Sequence, residues 1–350
     1  MLQEAVQKGA SDIFIVSGLP LSYKIGNQII TQEGDKLIPA RTAELIAGIY
    51  QLAGERDMKG LRETGDDDFS FSLRGVSRFR VSTYRQRGSL AAVIRVVAFD
   101  LPDPKALGIP GTVLGLAERT KGLVLVTGPA GSGKSTTLAC VIDRINNTRN
   151  AHVITLEDPI EYLHSHKKSV VSQREISTDT ISYVTALRAA LRQAPDVILL
   201  GEMRDQETIA TAMTAAETGH LVFSTLHTVG AANTIDRVID AFPPNQQAQV
   251  RIQLSMILQG VVSQQLIPAE DGSVAAAFEI MLCNGAIRNM IRESKIHQID
   301  TVIYSSAGEG MMSMDASILE LYKQGRISAH NAVIYSTNAD LMAKKVGAAR

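Results

Sequence analysis

The chain has 350 residues, 45% of them hydrophobic, with a mean hydropathy of +0.05, which is enough for the cores of two or three domains. With 35 Lys and Arg against 36 Asp and Glu the net charge is −1, so no overall basic field argues for a nucleic-acid partner. No apolar run approaches the ~18 residues of a membrane span and the N-terminus lacks a signal-peptide core, so a cytoplasmic home is expected; Cys140 and Cys283 make neither a zinc set nor a disulfide framework and suit core packing.

The first eight residues read as a short helix closed by Gly9, and Ser11 to Val16 as a strand. Leu21 to Ile30 alternates well enough for one or two strands around the turn signal Gly26-Asn27. Helical spacing over Pro39 to Leu52 is followed by strand patterns at Phe69 to Leu73, Phe79 to Tyr84 and Leu90 to Val97, parted by Arg74-Gly75 and Arg87-Gly88. A small α+β domain with an antiparallel sheet is expected over 1–99. Alternation puts Arg78, Arg80 and Arg95 on one polar face, which by itself describes a solvated sheet. Pro102 and Pro104 favour an extended connector, so the linker is expected at 100–111 and a second domain over 112–350.

The second domain opens on its strongest signal. Leu123 to Val126 supply a buried strand, and Gly128-Pro129-Ala130-Gly131-Ser132-Gly133-Lys134-Ser135 fits G-x-x-x-x-G-K-[ST], continued by Thr136 and a helical pattern to Ile145. Such a loop turns backbone N–H groups around a phosphate chain at the positive end of a helix. Lys134 is then expected at the β/γ-phosphates and Ser135 at Mg²⁺. Strands and helices alternate from here, the pattern of a mainly parallel sheet covered on both faces. Three further apolar strands deliver polar residues to their C-terminal ends, where ligands bind in such sheets: Val153 to Leu156 before Glu157, Val197 to Leu200 before Glu202, and Leu221 to Ser224 before His227. Ile181 to Gln193 is expected to be helical, Asn245 to Leu266 one long helix, and the part from about 268 mainly helices, with a frayed end at Lys344 to Arg350.

ATP hydrolysis needs a phosphate cradle, a metal, a carboxylate to direct water and positive charge for the transferred group. Glu202 and Glu157 both qualify as the carboxylate, and the residues alone do not divide base from metal partner between them. His220 and His227 flank a strand, which excludes an i,i+4 metal pair. Each alone suits a structural role, with His227 the better placed to sense the γ-phosphate.

The succession GPAGSGKST (Gly128 to Thr136), VITLEDPIEYLH (Val153 to His164), LRAALRQAPDVILLGEMRD (Leu187 to Asp205) and TAAETGHLVFSTLHT (Thr214 to Thr228) resembles the Walker A, Asp box, Walker B and His box of the type II/type IV secretion ATPases. AIRNMIRE (Ala286 to Glu293) is similar to the AIRNLIRE signature of that family's pilus retraction ATPases, with Met290 in place of leucine. GASDIFIVSGLP and SRFRVSTYRQ also resemble the family's N-terminal domain, so the likeness covers nearly the whole chain.

The resemblance implies a RecA-like P-loop ATPase domain preceded by a PAS-like domain, using ATP and Mg²⁺, in a homohexamer where the PAS-like domain packs on the neighbour's RecA-like domain. It implies that Arg80 and Arg95, with Arg78 a lesser candidate, reach the nucleotide, and that Glu157, Glu202, His220 and His227 form the catalytic centre, Glu202 with Ser135 at the metal. It further implies work on an inner-membrane pilus platform protein at the inner face of the cytoplasmic membrane, beside a related accessory retraction ATPase and without nucleic acid. The Ala286 to Glu293 helix is implied in retraction rather than nucleotide binding; its own pattern turns Ile287, Met290 and Ile291 inward and leaves Arg288, Asn289, Arg292 and Glu293 outward. Competing expectations are a pilus extension or type II secretion ATPase, disfavoured by about 100 residues before the linker and by only two cysteines. A hexameric DNA translocase, disfavoured by charge, and a nucleotide-switched partner without hydrolysis complete the alternatives.

Overall fold

A computed structural model describes residues 1–26, 28–97 and 101–347. Asn27 of the expected Gly26-Asn27 turn, the end of the expected first domain with Asp100 of the linker, and Ala348 to Arg350 of the expected frayed end lie outside the described residues. The chain divides into two units, Met1–Asp100 with Ile160–Leu163, and Leu101–Pro159 with His164–Arg350.

Alternation dictates the first unit. Along β5 (Ser77–Gln86), Phe79 and Val81 are buried while Arg80 between them is exposed. The strand belongs to a six-stranded antiparallel sheet with β1 (Asp12–Ile15), β2 (Ser22–Ile25), β3 (Gln28–Thr31), β4 (Asp66–Leu73) and β6 (Ser89–Val97), in the order β3-β2-β1-β6-β5-β4. The apolar face is covered by helices α1 (Leu2–Gln7), α2 (Pro39–Leu52) and α3 (Lys59–Thr64), which supply Ala5, Ile46, Ile49 and Leu61 to a core with Ile13, Tyr23, Phe79 and Ile94. On the other face Arg80 and Arg95 are direct cross-strand neighbours, and Arg95 also stands opposite Asp12.

The second unit is a seven-stranded mixed sheet. After the short α4 (Gly111–Gly115) come β7 (Gly122–Thr127), α5 (Lys134–Thr148), β8 (His152–Glu157), β9 (Val170–Glu175), α6 (Tyr183–Ala190), β10 (Val197–Leu200), α7 (Gln206–Glu217) and β11 (Leu221–Leu226). Helices α8 (Ala231–Asp240) and α9 (Pro244–Ile257) lead into β12 (Leu258–Pro268) and β13 (Val274–Leu282), and α10 (Gly285–Arg292), α11 (Ile299–Ser305), α12 (Met314–Lys323), α13 (Ala329–Tyr335) and α14 (Ala339–Val346) follow. The sheet order is β13-β12-β7-β11-β10-β8-β9, parallel throughout except for β13 at the edge. Successive side chains of β7 enter opposite cores: Leu123 and Leu125 pack with α6 to α9, while Val124 and Val126 pack with α5. Burial on both sides is why these strands read as continuous apolar runs.

The expected helix over Asn245 to Leu266 is corrected: α9 stops at Ile257 and β12 replaces its second half. Gly260 and the branched pair Val261-Val262 disfavour helix, and the two valines are buried on opposite faces of the sheet. A β-carbon on Gly260 would lie 2.9 Å from the Met281 carbonyl oxygen, so the paired strand needs the glycine. The part beyond 268 therefore opens with a strand, β13, before it turns helical. β9 was not expected at all, its polar Ser172, Gln173 and Arg174 masking it.

Phe223 on β11 has no exposed surface. Phe223→Ala should cost about 3–5 kcal/mol of unfolding free energy in urea titrations; a loss under about 1 kcal/mol would mean that the α5 side of the sheet is not a close-packed core.

Candidate functional site

The loop between β7 and α5 is shaped by what lies behind it. Gly128 has φ +139°, and a β-carbon there would meet the Gln264 carbonyl oxygen at 2.2 Å and Ser132 Oγ at 2.8 Å. Gly133, the residue before α5, has φ +85° and Gln264 Nε2 at 3.0 Å from the same construction. Both positions need glycine, for backbone conformation and for closeness to β12. Pro129, Ala130 and Gly131 form the exposed crest, and Ser135 and Thr136 are half-buried. Lys134 is 8% exposed, and its Nζ donates to the carbonyls of Gly128 and Pro129, each at 2.9 Å. Ser132 Oγ is buried without a hydrogen-bond partner among the described residues.

The parallel strands bring the expected carboxylates to the same edge. Glu157 ends β8, where Oε1 accepts from Thr155 Oγ1 at 2.6 Å and from Gln173 Nε2 at 3.3 Å. Glu202 follows β10, with Arg204 paired to Oε1 and His227 Nε2 at 3.6 Å from Oε2. The Glu202 side chain is 15% exposed, His227 60%. Tyr183 was missed by sequence reasoning, because on α6 it passes for an ordinary core-facing position. A β-carbon on Gly201 would lie 2.7 Å from its hydroxyl oxygen. Burial first, then the charges of Asp158 and Glu202, raises that phenol well above its usual range. It stays a neutral hydroxyl among the carboxylates.

Within one chain His220 is not brought to this edge. It precedes β11 at the opposite end; Nδ1 lies 3.0 Å from the Ala215 carbonyl oxygen, and its own carbonyl accepts from Gly122 N at 3.0 Å. Six residues of β11 separate it from His227, about 20 Å at strand rise.

Arg80 and Arg95 lie in the first unit. Both are exposed, and with Asp12, Asp68, Ser82 and Val93 they line a cavity of about 240 Å³. Arg95 Nε donates to Asp12 Oδ1 at 2.8 Å. Arg78 is half-buried on the same strand, and its NH1 donates to Ser72 Oγ at 3.4 Å.

Two more residues escaped the sequence because their partners are far along the chain. The turn after His227 is held by Ser263 Oγ, which accepts from Gly230 N at 3.0 Å, and by Glu279 Oε1, which accepts from Ala231 N at 2.7 Å. Ser263 and Glu279 face each other across β12 and β13. Burial raises the Glu279 pKa, opposed by the Ala231 N–H. Arg288, expected outward on α10, is half-buried instead: NH1 donates to the carbonyls of Ser255 at 2.6 Å and Met256 at 3.0 Å, the last turn of α9.

A family model described as type II/IV secretion system protein matches residues 1–342. Over 332 residues, 95% of this chain and 96% of the relative, the sequence is 45% identical to the type IV pilus retraction ATPase PilT of Pseudomonas aeruginosa. The chain belongs to the PilT-type pilus retraction ATPases of the type II/IV secretion family. A twitching motility protein of Neisseria gonorrhoeae is 45% identical over 307 residues, 87% of this chain and 82% of the relative. A solved structure of the pilus retraction motor PilT with bound ADP superposes with a TM-score of 0.89 at 48% identity, covering 97% of each chain. Among the described residues no helix of this PilT-type chain is long and apolar enough to cross a membrane.

In this PilT-type ATPase the obstacle at Gly128 is backbone, which cannot rotate aside. Gly128→Ala should therefore abolish binding of a fluorescent ADP analogue, measured by titration; wild-type affinity in that variant would show that β12 does not hold the loop closed.

Proposed function

We propose that this chain is the subunit of a ring-shaped ATPase motor that powers type IV pilus retraction and hence twitching motility. The observation that carries this is the gathering of a phosphate loop, Glu157, Glu202 and His227 at one edge of a parallel sheet, in a chain that matches PilT along nearly its full length.

A nucleoside triphosphate fits the loop. The glycine cradle is closed behind by β12 and leaves backbone N–H groups for anions, the α5 dipole adds positive potential, and Ser132 Oγ has an unspent hydrogen bond. Lys134 exchanges the two loop carbonyls for the β/γ-phosphate oxygens. Ser135 and Glu202 are the residues that would hold Mg²⁺, an ion that keeps most of its shell from water and phosphate and so needs few protein ligands. When bound, it neutralises charge on the phosphates. One of Glu157 and Glu202 directs the attacking water. His227, beside Glu202, reports whether the γ-phosphate is present.

The finer architecture belongs to the same proposal: a PAS-like unit over 1–99, a linker at 100–111, and a RecA-like ATPase unit over 112–350, six copies closing a ring in which each PAS-like unit meets its neighbour's RecA-like unit. Arg80 then completes the neighbour's nucleotide site. Arg95 joins it once freed from Asp12. The ring turns an inner-membrane platform protein from the inner face of the cytoplasmic membrane, alongside a related accessory ATPase, and binds no nucleic acid.

Lys134→Ala and Glu202→Gln should each lower phosphate release from ATP on the order of a hundredfold; unchanged turnover in either variant would overturn the site assignment. Mixing Arg80→Ala with Lys134→Ala protein should restore some turnover in mixed rings, and no recovery in rings shown to be mixed would refute sharing across subunits. Deleting the gene should leave cells with many pili and no twitching, whereas cells without pili would point to extension.

A further inference from the structure

Gln264 stands on β12 behind the phosphate loop and belongs to none of the sequence motifs. It is 3% exposed. Its Oε1 accepts a hydrogen bond from Thr137 Oγ1 at 2.7 Å, and Thr137, in the first turn of α5, is 1% exposed. Its backbone carbonyl closes off the space beside Gly128, and its amide nitrogen that beside Gly133. One residue thus meets both ends of the loop and the helix that the loop launches.

We propose that Gln264 is a positioning residue for ATP: through Thr137 it holds the first turn of α5 in the orientation in which the loop N–H groups and Lys134 receive the phosphates. The chemistry favours a bond of this kind over mere packing. A buried hydroxyl and a buried amide oxygen each lose more by standing alone than the pair gains together, so removing one partner drives the other toward a new partner, and the loop backbone lies directly against Gln264. Replacing both partners by apolar groups of similar shape removes the orphan and should let the loop settle back. The inference rests on the ATPase reading of the site, and it deepens that reading by naming a residue that sets nucleotide affinity without belonging to the cradle.

The test is a double-mutant cycle on the full chain with Gln264→Met, Thr137→Val and the double variant, reading KM for ATP, kcat, affinity for a fluorescent ADP analogue and thermal unfolding. Each single variant should raise KM by about five- to tenfold with kcat changed less than about twofold, and the double variant should return to within about threefold of the unsubstituted protein. Additive losses, or single variants with unchanged KM, would overturn the proposal; a purely structural role lowers the unfolding temperature and leaves the KM of the folded protein where it was. Should Gln264→Met fail to fold, the other end of the bond carries the same comparison, since Thr137→Val raises KM and Thr137→Ser, which keeps the hydroxyl, restores it, and equal KM values in the two refute the role. Lys134→Ala measured alongside separates the two layers. Turnover retained there would sink the ATPase site itself, whereas a dead Lys134→Ala with a flat KM across the cycle sinks the positioning role alone.

Discussion

Strand direction is the constraint on which the site depends. Because β7, β11, β10 and β8 are parallel neighbours, the residues that follow each of them emerge at one edge. The phosphate loop, His227, Glu202 and Glu157 come together for that reason, although up to about a hundred residues of chain separate them. The same constraint sends His220 the other way. A sheet buried on both faces also has little freedom to shift register, since a slip of one residue would exchange the contents of its two cores. The polar groups at the edge are therefore held by the packing of Leu123, Val124, Ile198 and Phe223 as firmly as by their own hydrogen bonds.

The β12–β13 hairpin adds a second support from behind. Adjacent residues on a strand point to opposite faces, and here that geometry lets Gln264 meet α5 while Ser263, with Glu279 opposite it, holds the turn beyond His227. The hairpin is in turn anchored at both ends. Before it, Arg288 of α10 satisfies carbonyls in the last turn of α9. Along its far part, Ile267, Ala275 and Ala277 pack with Met314, Ile318 and Met342 of the C-terminal helices. A displacement of α10 or of those helices would therefore be felt by the strand that touches the phosphate loop, a contiguous physical route between the loop and the C-terminal part.

What could be read from the sequence follows from which signals are local. The phosphate loop, the doubly buried strands and the alternating strands of the first unit each declare themselves within ten residues or so, and the structure places them where the patterns point. β12 was misread because Gly260-Val-Val-Ser-Gln-Gln continues the polar-apolar mixture of α9 without a break, and the strand is decided by β7 and β13 beside it. Gln264 and Thr137 are 127 residues apart, and no spacing rule connects them. Tyr183 and Arg288 were legible as helix residues but not as the partners they have, since a helical pattern gives a face and not the neighbour that the face meets. His220 and His227 share a motif, and the direction of β11 sets them at opposite ends of one strand.

The polar face of the first sheet also reads differently once its register is known. Alternation alone described a solvated face. Register sets Arg80 directly opposite Arg95, and like charges so placed oppose strand pairing. Asp12 compensates one of them: its side chain is 6% exposed and bonds Arg95. Among the described residues the Arg80 side chain makes no hydrogen bond or ion pair, and it opens on the same small cavity as Asp68. Exchanging Arg80 for a neutral residue would relieve that repulsion, whereas exchanging Arg95 would leave the buried Asp12 carboxylate without its ion pair. The register keeps two arginines adjacent on one exposed face, with Asp12 and Asp68 beside them in the same cavity. Alternation thus fixes which face the arginines share, and register fixes the repulsion between them that Asp12 offsets.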